Sequence, residues 1–219
     1  MSWGSRASTS NYVMNHIGSF AAAQEGTARA LFLGGVPWRF PTLRFAFLEG
    51  GVHWARALYS DLIGHWTKRN REAIAHYDPA NLDRTQFERL LERYGNDAMQ
   101  RHRDRLDEAL AFLSDRETDP ATTDDFARCA IERPEDIRDV FTRRFYFGCE
   151  ADDPLNAGAF DSRLNPLGAR LPAFFSSDIG HWDVPEMSAV LGEAYEMVDD
   201  GFFTADDFRD FVFANPVSL

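Results

Sequence analysis

The sequence predicts an α/β fold, and three observations carry that expectation. Three short β-favouring runs, "LRFAFLEGG" at 43–51, "RRFYFGCEADDP" at 143–154 and "LPAFFSSD" at 171–178, are rich in aromatic residues and too short to be helices. Stretches with apolar residues at helical spacing lie between or behind them, and such alternation argues parallel pairing through right-handed crossovers. Each run also ends on carboxylates: Glu49 after the first, Glu150 with Asp152 and Asp153 after the second, and Asp178 after the third. A closed barrel needs eight strands, so three mark either a small open sheet or part of a barrel.

In chain order, "GTARALFLGG" at 26–35 reads as a helix stopped by Gly34 and Gly35, with Pro37 and Pro41 forbidding its continuation. After the first run, residues 52–77 place Val52, Ala55, Leu58, Tyr59, Leu62, Ile63 and Trp66 on one face of a long amphipathic helix. Residues 78–142 read as a charged helical insertion, with Leu90, Leu91, Tyr94, Leu106, Leu110 and Leu113 on its apolar face. It is broken by the polar stretch 115–125 and resumes as a helix with Pro134 and acids in its first turn. Behind the third run, Asp183 reads as the N-cap of a helix over 185–200, with Pro185 and Glu186 in its first turn; Gly201 stops it and Thr204 caps the next. One domain carrying this insertion is expected.

Composition narrows the function classes. The chain has 219 residues with Lys+Arg 23 against Asp+Glu 35, a net charge of −12 spread along its length, which argues against a nucleic-acid partner. Lys68 is its only lysine, which leaves little room for lysine-centred catalysis. Cys129 and Cys149 sit in apolar surroundings without metal-site spacing, and predict inert burial in a reducing, cytoplasmic setting. No stretch approaches about 18 uninterrupted apolar residues, so neither a membrane span nor a membrane partner is expected. Phosphate-loop, dinucleotide-fold and serine-hydrolase motifs are absent from the sequence.

In parallel α/β architectures, ligands gather where the carboxyl ends of strands meet the following loops. All three runs deliver an acid there, and His181 follows Asp178 by three residues. Carboxylates and an imidazole converging in a pocket suit a divalent cation such as zinc or manganese. The alternative for His181 is a structural ring, packed beside Trp182 and bonded to a backbone carbonyl. His16 reads either as a group reaching the same pocket or as a solvated loop histidine. His53 and His65 lie twelve residues apart on one helix, which is not the spacing of a helical metal pair. His76 and His102 read as surface residues.

Two segments carry a family likeness. "GGVPWRFPTLRFAFLEGGVHWARALYSDL" resembles the sixth-strand region of the amidohydrolase-related proteins, the branch that includes metal-dependent decarboxylases. "SSDIGHWDVPEMSAVLGEAYEMVDDGFFTADDFRDFVFANPVSL" resembles that family's eighth strand and closing helices, where serine, aspartate and a nearby histidine are characteristic. The resemblance implies a (β/α)8 barrel, a TIM barrel, of which this chain holds strands six to eight with surrounding helices. It implies Asp178 as metal ligand and general base, with Glu49 and His181 as further catalytic groups. Glu150, His16 and Trp182 would contact a small-molecule substrate, and the cofactor would be a divalent metal, zinc before manganese. The reaction would be C–N hydrolysis or decarboxylation of a small carboxylic acid. The sequence departs from the pattern in carrying Glu49 where many members have a histidine, and in lacking both the first-strand HxH motif and a match to the fifth-strand histidine. It therefore resembles the carboxyl-terminal half of such an enzyme, completed by self-association or by an amino-terminal half. The rival reading is a non-catalytic binding module derived from a half barrel.

Overall fold

The computed structural model describes residues 10–78, 81–114 and 124–219. The fold is α/β, as expected. The chain divides into two compact units, one of Met1–Trp66 with Arg128–Leu219 and the other of Thr67–Ala127. The first unit opens with helices α1 (Tyr12–His16), α2 (Ser19–Leu33) and α3 (Val36–Arg39) ahead of strand β1 (Phe45–Phe47) and helix α4 (His53–Arg69). Asn70 accepts hydrogen bonds from the Glu72 and Ala73 N–H groups, so the expected helix over 52–77 is interrupted and restarts as α5 (Arg71–Ala75). The second unit continues through α6 (Arg84–Tyr94), α7 (Asp97–Arg101) and α8 (Leu106–Ser114), whose facing sides leave an apolar groove of about 610 Å³ lined by Phe87, Leu91, Met99 and Leu106. The polar break lies outside the described residues over 115–123.

The chain returns to the first unit with α9 (Pro134–Arg143), which precedes β2 (Phe145–Cys149); α10 (Ala157–Phe160) follows, then β3 (Ala173–Phe175). The end of the expected insertion, 134–142, is thus the helix that packs against β2 rather than part of the second unit. All three strands pair in parallel in the order β1-β2-β3, with Phe45 opposite Phe145, Phe47 opposite Phe147 and Phe147 opposite Ala173. Because side chains alternate across a strand, this register gathers Phe45, Phe47, Phe145 and Phe147 on one face. Neighbouring rings lie at centroid distances of 5.3–5.9 Å. Trp54 from α4 sits edge-on to Phe47 and Phe147, and Phe141 from α9 bridges Phe145 to Tyr59. This aromatic layer is the core: Phe145, Phe147, Tyr59 and Phe141 are fully buried.

One glycine sets how the strands converge. A Cβ on Gly148 would lie 3.0 Å from Ser176 Oγ and 3.2 Å from Leu48 Cα, so the residues after β1 and β3 close in over β2 only because the middle strand is bare there. Ser176 donates its N–H to Cys149 O at 3.0 Å and Gly51 to Gly148 O at 3.3 Å, extending the pairing past the strand ends.

The loop behind β2 is held to α4 by a buried polar network. Asn165, only 5% exposed, donates to the carbonyls of Gly158, Ala159 and Ala169 and accepts from Arg56 Nε at 3.0 Å, while Tyr59 OH donates to Pro166 O at 2.9 Å. Burial pushes the Tyr59 phenol up to about 12, which keeps it a neutral donor.

Three helical elements close the chain: α11 (Val190–Asp199), α12 (Ala205–Arg209) with its Thr204–Asp207 capping box, and α13 (Asn215–Ser218) after a π-helical turn at Asp210–Ala214. Pro216 has no N–H to donate into the preceding turn and its ring crowds the carbonyl four residues back, which accounts for the widened turn. Asn215 Nδ2 donates to Ala173 O, and Tyr146 OH to Ser218 O, tying this segment to β3 and β2. The helix expected over 185–200 starts only at Val190, because Asp183 is engaged by His181 instead of capping, and Glu186 bonds the Ser188 N–H and hydroxyl.

An Asn165→Ala substitution removes the Asn165 donor from Gly158 O and Ala169 O and the acceptor from Arg56, while Ala159 O keeps the Leu171 N–H. It is expected to cost about 2–3 kcal/mol, read as a lower midpoint in urea denaturation at unchanged m-value; an unchanged midpoint would show that the network does not hold the loop.

Candidate functional site

The carboxyl ends of the strands bring the expected acids to one edge of the sheet. Glu49 lies two residues beyond β1, Glu150 directly after β2 and Asp178 three residues beyond β3. Glu49 and Asp178 both hold left-handed backbone conformations, with φ of 62° and 48°. Such conformations are uncommon for non-glycine residues and persist where the surroundings over-determine them. Ala130 and Leu167, elsewhere in the fold, share the feature, so it accompanies the site without defining it.

Asp178 opens a β-turn closed by the His181 N–H bonding to Asp178 O at 3.1 Å, with Gly180 at φ 98° in the position that favours glycine. The turn places the His181 ring between two carboxylates: Nδ1 lies 3.3 Å from Asp178 Oδ2 and hydrogen-bonds Asp183 Oδ1. One ligating atom from each of Asp178, His181 and Asp183 falls within 4.8 Å of the others. His181 therefore bonds carboxylates, not the backbone carbonyl that its structural alternative required.

The hydrogen bond that the His181 ring donates to Asp183, helped by the charges of Asp178, Asp183 and Glu49, raises the His181 pKa above its ordinary 6.5. The same bond lowers the Asp183 carboxyl, and His16 adds a smaller pull in that direction. Glu150 moves the other way: burial, then the charges of Asp178, Asp152, Glu49 and Asp183, raise it above the usual carboxylate range. The mutual influence of Glu49, Glu150, Asp178, His181 and Asp183 shows that all five share one electrostatic neighbourhood.

The remaining sequence candidates fall around this group. His16 ends α1, stacked on Tyr12 at 5.0 Å and edge-on to Phe20 at 5.7 Å, close enough for Asp183 to feel its charge. Trp182 is 76% exposed, with its ring centroid 6.1 Å from that of His181. His65 is occupied by Asp61 O at 2.7 Å, away from the edge. Cys149 is fully buried, and burial pushes its thiol well above the ordinary value, so it is no nucleophile. The residue that sequence reading missed is Asp183, taken for a helix cap. The spacing Asp-x-x-His-x-Asp in "DIGHWD" held the signal, since a turn at Gly180 folds its three ionisable groups together.

The donor set fits a divalent cation in type and nearly in spacing. Two carboxylate oxygens and an imidazole nitrogen suit zinc or manganese, and ligands sharing an ion at about 2.1 Å stand roughly 3–4 Å apart. Half of the His181 side chain is exposed, so solvent reaches the three groups. Among the described residues, no helix is long and apolar enough to cross a membrane.

The His181 imidazole is expected to titrate above 6.5 by NMR in the metal-free protein, and Asp183→Asn to bring it back down. The stability this ion pair contributes is complete below 6.5 and lost as pH rises through the raised His181 value; on the Asp183 side it is lost as pH falls through that carboxyl's lowered value. A His181 titration that ignores Asp183→Asn would sink the assignment. No family model matches the chain, and neither does any curated protein or solved structure, so the site is read from its own geometry.

Proposed function

We propose that the chain is a metal-dependent hydrolase or decarboxylase module of the amidohydrolase-related type, acting on a small carboxylic acid. The observation that carries the reading is the delivery of Glu49, Glu150 and Asp178 to one edge by three successive parallel strands, with His181 and Asp183 folded against Asp178. Strand order without reversal, parallel pairing and acids at the carboxyl edge are what strands six to eight of a (β/α)8 barrel supply. Among the described residues the sheet's outer strands, β1 and β3, each pair on one side only, which supports completion by a second copy or an amino-terminal half.

Asp178, His181 and Asp183 would hold the cation, zinc before manganese. When bound, it supplies Lewis-acid polarisation of a substrate carbonyl or carboxylate. Asp178, whose left-handed backbone opens the turn to His181, would serve as general base. Glu150, whose proton is retained to higher pH than an ordinary carboxyl's, is placed to return a proton to the leaving group or the product carbon. Glu49 adds the smallest of the influences that raise the His181 pKa, after the hydrogen bond to Asp183 and the charges of Asp178 and Asp183, and its negative charge would attract the metal. His16, near enough to Asp183 to lower its carboxyl, and Trp182, exposed beside His181, would contact a substrate.

Calorimetric titration of the metal-free protein with Zn²⁺ at pH 7.5 is expected to show binding that weakens about 10–100-fold in Asp178→Asn while the melting temperature of the metal-free protein is kept. Asp178→Ala is expected to abolish turnover of any substrate found. Equal Zn²⁺ affinity in Asp178→Asn and the parent would end the assignment and leave the binding-module reading.

A further inference from the structure

The helices of the second unit close no core of their own. No described side chain from Arg84 to Ala111 is buried, although α6 and α8 are built on apolar spacing. On α6 the residues Phe87, Leu90, Leu91 and Tyr94 fall within about 100° of one another around the helix axis, so they form one stripe. One side of that stripe, Phe87 and Leu91, lines the groove of about 610 Å³ together with Met99 and Leu106. The other side stands out into solvent: Leu90 is 48% exposed and Tyr94 69%. An apolar groove and an apolar ridge thus lie side by side on one surface, and neither has a cover among the described residues.

Charge decides what such a surface can meet. The chain carries −12, so two copies of it repel each other over most of their surface. Residues 84–111 are neutral, with six arginines against six acids, and the whole net charge lies outside them. Both signs also rim the groove, where Arg103 and Arg105 stand beside Glu108. Arg105 pairs with Glu108 at 2.7 Å and Arg103 with Glu92 at 3.7 Å, all four side chains being exposed. A purely acidic or purely basic partner would meet a like charge at that rim. A surface that carries ridge and groove, and both signs in equal number, is complemented by itself turned about a two-fold axis.

We propose that α6, α7 and α8 form a homodimer interface: the Leu90 and Tyr94 ridge of one copy seats in the groove of a second copy, and the second copy's ridge seats in the groove of the first. The apolar stripe of α6 is then covered along its full width. Two-fold symmetry makes each contact occur twice and ends the assembly at two copies. This interface rests neither on the function proposed above nor on the open edges of the sheet.

Sedimentation equilibrium of the full chain at about 50 μM, above the micromolar end of specific interfaces, is expected to give a dimer. Leu90→Glu and Tyr94→Glu each place a charge on both ridges, and each is expected to raise the dissociation constant about a hundredfold or more and leave monomers. Leu90→Met keeps the ridge apolar and should stay dimeric. Far-UV circular dichroism is expected to match in all four proteins, since both positions face solvent in the single copy, and Tyr94→Glu keeps the test decisive should Leu90→Glu lose helix. Cys129 and Cys149 are both buried, so disulfide exchange does not mimic the dimer. A monomeric parent overturns the proposal. So does a dimer that both Leu90→Glu and Tyr94→Glu leave intact, which would put the contact on another face, such as the edges of the sheet.

Discussion

The close approach of the flanking strands over Gly148 is the constraint on which the rest of the site depends. With a side chain there, Leu48 and Ser176 could not both lean across β2, and the segments leading to Glu49 and Asp178 would splay apart. The aromatic layer on the opposite face makes this approach stable. Its rings interlock from α4 through β1 and β2 to α9, fixing strand register, since a one-residue slip would turn every ring to the wrong face. Register in turn decides that all three acids emerge at the same edge.

That edge concentrates negative charge in a chain already at −12, gathering Glu49, Glu150, Asp152, Asp178 and Asp183 around His181, with His16 close enough to lower Asp183. Ion pairs as exposed as these add little to stability. Burial first and repulsion from the neighbouring carboxylates second raise Glu150, and a fold selected for stability alone would disperse such a cluster. A bound cation would offset that repulsion. Retention of the group is therefore easier to understand through ligand binding than through folding.

The α/β class, the three strands and the acids behind them were legible because aromatic runs of that length fit strands and because loop starts show their polar residues plainly. Glu49, Glu150 and Asp178 needed only the parallel pairing to be brought together. Asp183 was not legible in its observed role, because an acid ahead of a proline also satisfies the rules for a helix cap; only the Gly180 turn, which brings His181 back onto it, separates the two readings. The split at Asn70 was hidden for a similar reason, since apolar spacing continues through it while the side chain quietly begins a new helix.

The attachments of the last residues bear on the order in which the fold can assemble. Arg44 at the entrance to β1 donates to the carbonyls of Ser218 and Leu219, across 174 and 175 residues, and Tyr146 reaches Ser218 from the middle strand. Contacts of such separation demand loop closure over almost the whole chain before they return any energy, which slows folding. The helices between Arg84 and Ser114 touch near neighbours and carry no such delay. On a ribosome the inserted unit would be able to form while the sheet around it still awaited its final strand and fastening.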